Sequence, residues 1–137
     1  MVEGSVGIRA VSELTGLSMD TLRWYEREGL LPLVERDPDG RRAYPPAAVR
    51  FVRLVQALRG TGMPVDDVRA FVRMGPGLEW HEKRAALLEE HAANVERRIE
   101  RLRRDLAVVR DKIGHHRELE RRGLDCEDEI GAEDGHA

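Results

Sequence analysis

The sequence predicts a mainly α chain, with a winged helix-turn-helix unit followed by one long helix built for a coiled coil. Three observations carry that prediction. Leu88, Ala92, Val95, Ile99, Leu102, Leu106, Val109 and Ile113 recur at alternating steps of four and three, the 3.5-residue repeat of a coiled-coil seam. Upstream, two short periodic segments meet at a turn around Gly16. Asp37-Pro38-Asp39-Gly40 then stands between two short alternating segments, a strong hairpin signal.

The elements follow in order. From Val6 to Leu14, Ile8, Val11 and Leu14 share one helical face, and Gly16 ends the helix. Ser18 is a good N-cap for a second helix, with Asp20 in its first turn and Gly29 just past its end. Leu30 and Leu31 run into Pro32, which stops further helix, and residues 33–44 read as a β-hairpin, the wing. A third helix from Pro46 carries Val49, Val52, Leu54, Val55 and Leu58 before Gly60 and Gly62. Pro64 opens a fourth with Val65, Val68, Phe71 and Val72 inward, closed by Gly75-Pro76-Gly77.

That triplet separates a compact unit, residues 1–77, from the long helix, residues 78–114, which is expected to run to about Ile113. Gly114, His115 and His116 weaken the pattern, so residues 115–137 read as an acidic, partly ordered tail and a candidate effector region. A single helix has nothing to bury its heptad stripe against. The simplest partner is a second copy of the chain.

Composition narrows the function classes. The chain is 41% hydrophobic, 4% aromatic and 36% charged, a mixture typical of helical and coiled-coil proteins. With a long helix taking much of 137 residues, little globular mass is left for a deep enzyme cleft. No nucleophile–base pair, phosphate loop or credible metal site emerges, so an enzyme is not expected. The absence of an apolar span or signal-peptide pattern points to the cytoplasm and away from membranes. Cys126 is the single cysteine, read as a solvent-facing tail thiol.

Net charge is −3, and residues 1–77 are nearly balanced with 11 basic and 10 acidic side chains. Any nucleic-acid function therefore rests on where the arginines cluster. On the second helix Leu22, Tyr25 and Gly29 fall toward the core, while Asp20, Arg23, Trp24 and Arg27 fall largely outward. Two readings of that outer face stand side by side. In one, the arginines reach phosphates or guanine edges and the indole packs on DNA; in the other, Trp24 packs against the wing and the arginines pair with Glu26 and Glu28. The wing favours the first. Arg36 on one arm and Arg41, Arg42 and Tyr44 on the other would present basic groups and a phenol beside the helix, suited to flanking phosphates, although Asp37 and Asp39 at the tip oppose this.

Ile8 to Leu14, Thr15-Gly16-Leu17-Ser18, Thr21-Leu22-Arg23-Trp24-Tyr25-Glu26-Arg27-Glu28-Gly29-Leu30-Leu31, and the wing's Gly40, Arg42 and Tyr44 together resemble the DNA-binding domain of MerR-type transcriptional regulators. The likeness continues through the next two helices and Gly62 to about residue 75, and the long helix stands where that family has its dimerisation helix. The resemblance implies a homodimer with antiparallel long helices, each winged helix in a half-site of a palindromic promoter element. It also implies regulation by bending and untwisting that DNA, with RNA polymerase engaged indirectly through the promoter. Arg23, Trp24, Tyr25, Arg42 and Tyr44 match family DNA-contacting positions, with Ser18 and Thr21 at the helix end nearest the DNA.

The chain also departs from that pattern. Trp24 replaces the more frequent tyrosine, and Pro45 and Pro64 replace serine N-caps. Where thiolate sensors of the family carry cysteines, this chain has Glu79, Trp80 and His81, and later only Cys126. The reactive cysteine of the short stress-responsive branch aligns with Ala57. Iron–sulfur sensing would need more cysteines than one. No cofactor is therefore expected. A metal shared across a dimer by His81, His115, His116, Cys126 and His136 is a minor alternative, and a structural, nucleoid-type DNA-binding protein is the alternative to a promoter switch.

Overall fold

A computed structural model describes residues 3–75 and 77–125. It divides into two units, residues up to His91 and from Ala92 onward. Expectations placed on Cys126 and His136 lie outside the described residues.

The first unit begins with α1 (Ile8–Thr15) and α2 (Met19–Arg27), joined by the tight turn through Gly16 at φ 78°. Side chains brace this turn. Ser12 Oγ donates to the Leu17 carbonyl at 2.6 Å, and Thr15 Oγ1 donates to the Val11 carbonyl at 2.8 Å while accepting from Leu17 N at 3.2 Å. Orphan carbonyls at the end of α1 find donors on α3 (Pro46–Gly60), where Gln56 Nε2 reaches Thr15 O at 2.8 Å and Arg53 Nη2 reaches Leu14 O at 3.3 Å. Of the three residues expected on one helical face, Val11 is buried and Ile8 packs on the core, but Leu14 at the end of α1 is exposed.

The wing is shorter than residues 33–44 suggest, with β1 (Glu35–Arg36) and β2 (Arg42–Ala43) antiparallel in the register Glu35 to Ala43 and Arg36 to Arg42. Val6 lies outside the first helix and bridges to the wing, exchanging backbone hydrogen bonds with Tyr44 of 3.0 and 2.7 Å. At the tip, Asp37 Oδ1 accepts from the backbone N–H groups of Asp39 and Arg41 at 2.9 and 3.0 Å. That carboxylate is engaged in making the turn.

Helix α3 and then α4 (Val65–Arg73) start at Pro45 and Pro64 without side-chain caps. Their first turns close on the proline carbonyls, at 3.1 Å from Val49 N and 3.0 Å from Val68 N, and Asp66 and Asp67 favour the positive end of the α4 dipole. Val11, Leu22, Leu30, Tyr44, Val52, Val55, Met63 and Val68 are fully buried in one cluster drawn from α1 to α4 and the wing. A 3₁₀ turn, Leu78–Trp80, then leads into α5 (His81–Arg122).

The second unit is dominated by the rest of α5, which runs through Gly114 to Arg122 and corrects the expected end at Ile113. One helical glycine costs only about 1 kcal/mol. Arg117 to Arg122 are strong helix formers, and the stop signal comes later. Gly123, at φ 71°, donates to Glu120 O at 3.2 Å and Leu124 donates to Leu119 O at 3.0 Å, a Schellman close with Leu119 buried. Ile99, Leu102, Leu106, Val109 and Ile113 all stand exposed, Leu102 at 65%. Val109, Ile113, His116 and Glu120 continue the same 4–3–4 spacing and share a concavity of about 520 Å³ on the helix.

Candidate nucleic-acid interface

Helix α2 is set up by its own first turn. Ser18 Oγ accepts from Thr21 N at 3.0 Å and donates to Thr21 Oγ1 at 2.9 Å, so both hydroxyls serve the cap at the helix end where they were expected. Arg23 Nη1 lies 3.0 Å from Asp20 Oδ1 one turn back, a pair open to water and of small energetic weight.

Leu22 and Tyr25 are buried, matching the face read from helical spacing, whereas Gly29 lies past the helix end and is exposed. Tyr25 thus forms the floor of the outer face and shows little surface for the contact that the resemblance implies. Trp24 is half-buried against the core, its ring 5.9 Å from that of Tyr25. The indole therefore packs on protein and is only partly exposed.

Glu26 joins the helix to the wing. Its carboxylate takes Arg42 Nε through Oε2 and lies 3.6 Å from Arg36 Nη2 through Oε1, while Arg36 Nη1 also donates to Gly40 O at 3.3 Å. The α2 arginines are therefore not the partners of Glu26 and Glu28: Arg23 pairs with Asp20, Glu26 takes the wing arginines, and Glu28 takes Arg69 of α4. Wing arginines pair with Glu26, yet Arg36 stays about half exposed. Arg27 and Arg41 are exposed and make no ion pair among the described residues. A mixed pattern results, with Arg36 and Arg42 paired to Glu26 at the α2–wing junction and Arg27 and Arg41 exposed without an ion pair among the described residues.

Tyr44 overturns an expectation. Its side chain is fully buried, and its hydroxyl has no hydrogen-bond partner among the described residues, so the wing displays no phenol beside α2. The backbone bridge to Val6 turns the ring inward, where it fills the core under the wing. Burial pushes its ionisation above the ordinary tyrosine value; the Glu26 carboxylate adds to this, and Arg42, Arg23 and Arg36 oppose it. Tyr25 is likewise pushed up by burial, opposed by Arg59.

Some contacts that hold this unit together carry no local sequence signal. Arg69 on α4 binds Glu28 at the end of α2, Arg84 on α5 donates to Met74 O and Gly75 O at 3.2 and 2.6 Å, and Thr61 hydrogen-bonds His91 at 2.9 Å. Each partner lies nine or more positions away in sequence. Among the described residues no three His, Cys, Asp or Glu side chains converge as a metal site, and no helix is long and apolar enough to cross a membrane.

Comparison with known proteins agrees with this geometry. Residues 7–74 match the family model described as MerR HTH family regulatory protein, and residues 49–111 match that described as MerR, DNA binding. A Haemophilus influenzae protein described as an uncharacterized HTH-type transcriptional regulator is 34% identical over 82% of this chain and 84% of its own. Among solved structures, HiNmlR, a MerR family regulator lacking the sensor domain and bound to promoter DNA, aligns at TM-score 0.66 and 31% identity over 88% of this chain and 96% of its own. A MerR family transcriptional regulator from Bacillus thuringiensis aligns at TM-score 0.66 and 25% identity over 81% of this chain and 98% of its own. With its helix-turn-helix, short wing and long terminal helix, this chain belongs to the MerR family of transcriptional regulators.

Proposed function

We propose that the protein is a homodimeric regulator that binds a two-fold symmetric promoter element and distorts it to control transcription. The observation that carries this reading is the likeness to HiNmlR bound to promoter DNA, which spans 88% of this chain and so takes in the long helix as well as the winged unit. In the proposed complex α2 lies in the major groove. Arg23, Trp24 and Arg27 face the DNA, and Ser18 and Thr21 bring the positive end of the helix to a phosphate. Arg36, Arg41 and Arg42 of the wing meet the flanking backbone, while Tyr25 and Tyr44 support this surface from beneath.

The stripe from Leu88 to Ile113, exposed except at the half-buried Val95, is the proposed dimer seam, antiparallel, so that the two readers sit at a fixed spacing. Distortion of the DNA between two rigidly spaced readers is then a matter of geometry. The proposed setting is the cytoplasm, and polymerase is engaged through the promoter alone. The test is selection of genomic fragments by the full chain followed by footprinting. One protected inverted repeat with hyper-reactive bases at its centre is expected. Uniform coating without sequence preference would establish a nucleoid-type binder instead.

A further inference from the structure

Arg69 stands on α4, yet its guanidinium grips the far end of α2. Nε donates to the Glu28 carbonyl at 2.7 Å, Nη2 to Glu28 Oε1 at 3.2 Å, and Nη1 to Asp66 Oδ1 at 2.6 Å. Glu28 is the C-cap of α2, where carbonyls lack intrahelical donors and the helix dipole is negative, so a cation there is favoured twice. The planar fork of arginine serves a carbonyl and a carboxylate at once, which a lysine ammonium does not reproduce. Next along the chain, Gly29 is left-handed at φ 75°, and a Cβ there would lie 3.5 Å from Arg73 Nη2 and 3.8 Å from Arg69 Nε. The two guanidinium groups therefore lie directly on the backbone that ends α2. The core contacts of α2 come from Leu22, Trp24 and Tyr25, and Glu26 is tied to the wing, so the polar grip of Arg69 acts on the cap that follows, at Glu28.

Helix α4 is itself held just past its C-terminal end by Arg84, through Met74 O and Gly75 O. It therefore acts as a strut between the start of α5 and the end of α2. We propose that Arg69 is a positioning residue for sequence reading: its guanidinium is turned to protein, and it sets the angle at which α2 presents Arg23, Trp24 and Arg27 to bases. This rests on the DNA-binding reading above. Base contacts depend on that angle far more than the attraction of a basic surface to phosphates does.

The test compares Arg69→Met, Arg69→Lys and Glu28→Gln in the full chain. DNA affinity is measured on a duplex carrying the footprinted element and on a random duplex of equal length, and amide exchange is measured in the free protein. Arg69→Met is expected to raise exchange over Glu26 to Leu30. It should weaken binding to the element about tenfold, change random binding less than about twofold, and leave the salt slope unchanged. Arg69→Lys should follow Arg69→Met, because the charge without the fork is insufficient. Glu28→Gln keeps the backbone carbonyl and should show a smaller loss, which carries the test if Arg69→Met fails to fold. Equal weakening on both duplexes with a shallower salt slope would make Arg69 a phosphate contact and overturn the proposal. Unchanged exchange at the end of α2 would overturn it too. If the wild-type chain selects no element, the DNA reading fails separately, and the exchange arm still decides whether Arg69 holds α2.

Discussion

The winged unit and the long helix treat their apolar residues in opposite ways. In the first, Val11, Leu22, Val52, Val55 and Val68 are fully buried by neighbours from the same chain. Along α5, residues of the same type, Ile99, Leu102, Leu106, Val109 and Ile113, face solvent. The difference separates two sources of stability. The winged unit closes on itself, whereas the stripe would be buried only in the proposed dimer, where each buried methylene is worth about 0.8 kcal/mol.

The sharpest way to break the comparison is Leu102→Glu. A charge at the most exposed seam position costs nothing in the free chain but places like charges at a desolvated seam in the proposed dimer. Sedimentation velocity should show a monomer, while amide exchange in the winged unit stays at its wild-type protection. Retained dimer would move the seam to another face.

Leu22→Ala is the matching change on the other side. It empties a fully buried site between α2 and the core and should cost about 2–5 kcal/mol in the unfolding of the winged unit. Denaturant melts followed by tryptophan fluorescence would measure it, because Trp24 packs on that core. A loss much below this range would mean that the unit draws its stability from the long helix after all.

What was legible in the sequence divides along the same line. Period and capping are local signals, so Ser18, the heptads and the proline starts of α3 and α4 are readable from a few residues each. The inward Leu22 and Tyr25 follow from helical spacing alone. Tyr44 is a different case. Its burial depends on Val6, thirty-eight positions earlier, joining the wing edge, and no local pattern near either residue announces that pairing. Arg69 and Glu28 are forty-one positions apart for the same reason. The true end of α5 was readable in principle, since Leu119, Gly123 and Leu124 form a Schellman pattern, but Gly114 is an earlier and weaker stop that resembles an end.

A smaller effect sharpens the junction between α2 and the wing. Arg42 is paired with Glu26, whereas Arg41 makes no ion pair among the described residues. Arg42→Ala should weaken specific and random DNA alike and lower the salt slope by roughly 1 if the proposed phosphate contact is lost. If the slope holds while affinity for the element falls, Arg42 acts by fixing Glu26 and the wing, and touches no phosphate.

Tyr44→Phe gives the smallest expected change and examines the buried side of that junction. The hydroxyl is enclosed with no hydrogen-bond partner among the described residues, so removing it deletes an unmet desolvation cost. The variant should lie between neutral and about 1 kcal/mol more stable than wild type at pH 7. Alkaline pH adds a second readout. Burial raises the ionisation of both Tyr44 and Tyr25, so the folded chain keeps protons that the unfolded chain begins to release near about pH 10. Their contribution is intact below that point and is lost as pH climbs toward the folded values. Tyr44→Phe removes one of the two groups and should make the alkaline fall in stability shallower. An unchanged fall would show that water reaches the Tyr44 phenol, and therefore that the wing opens from the core on the timescale of titration.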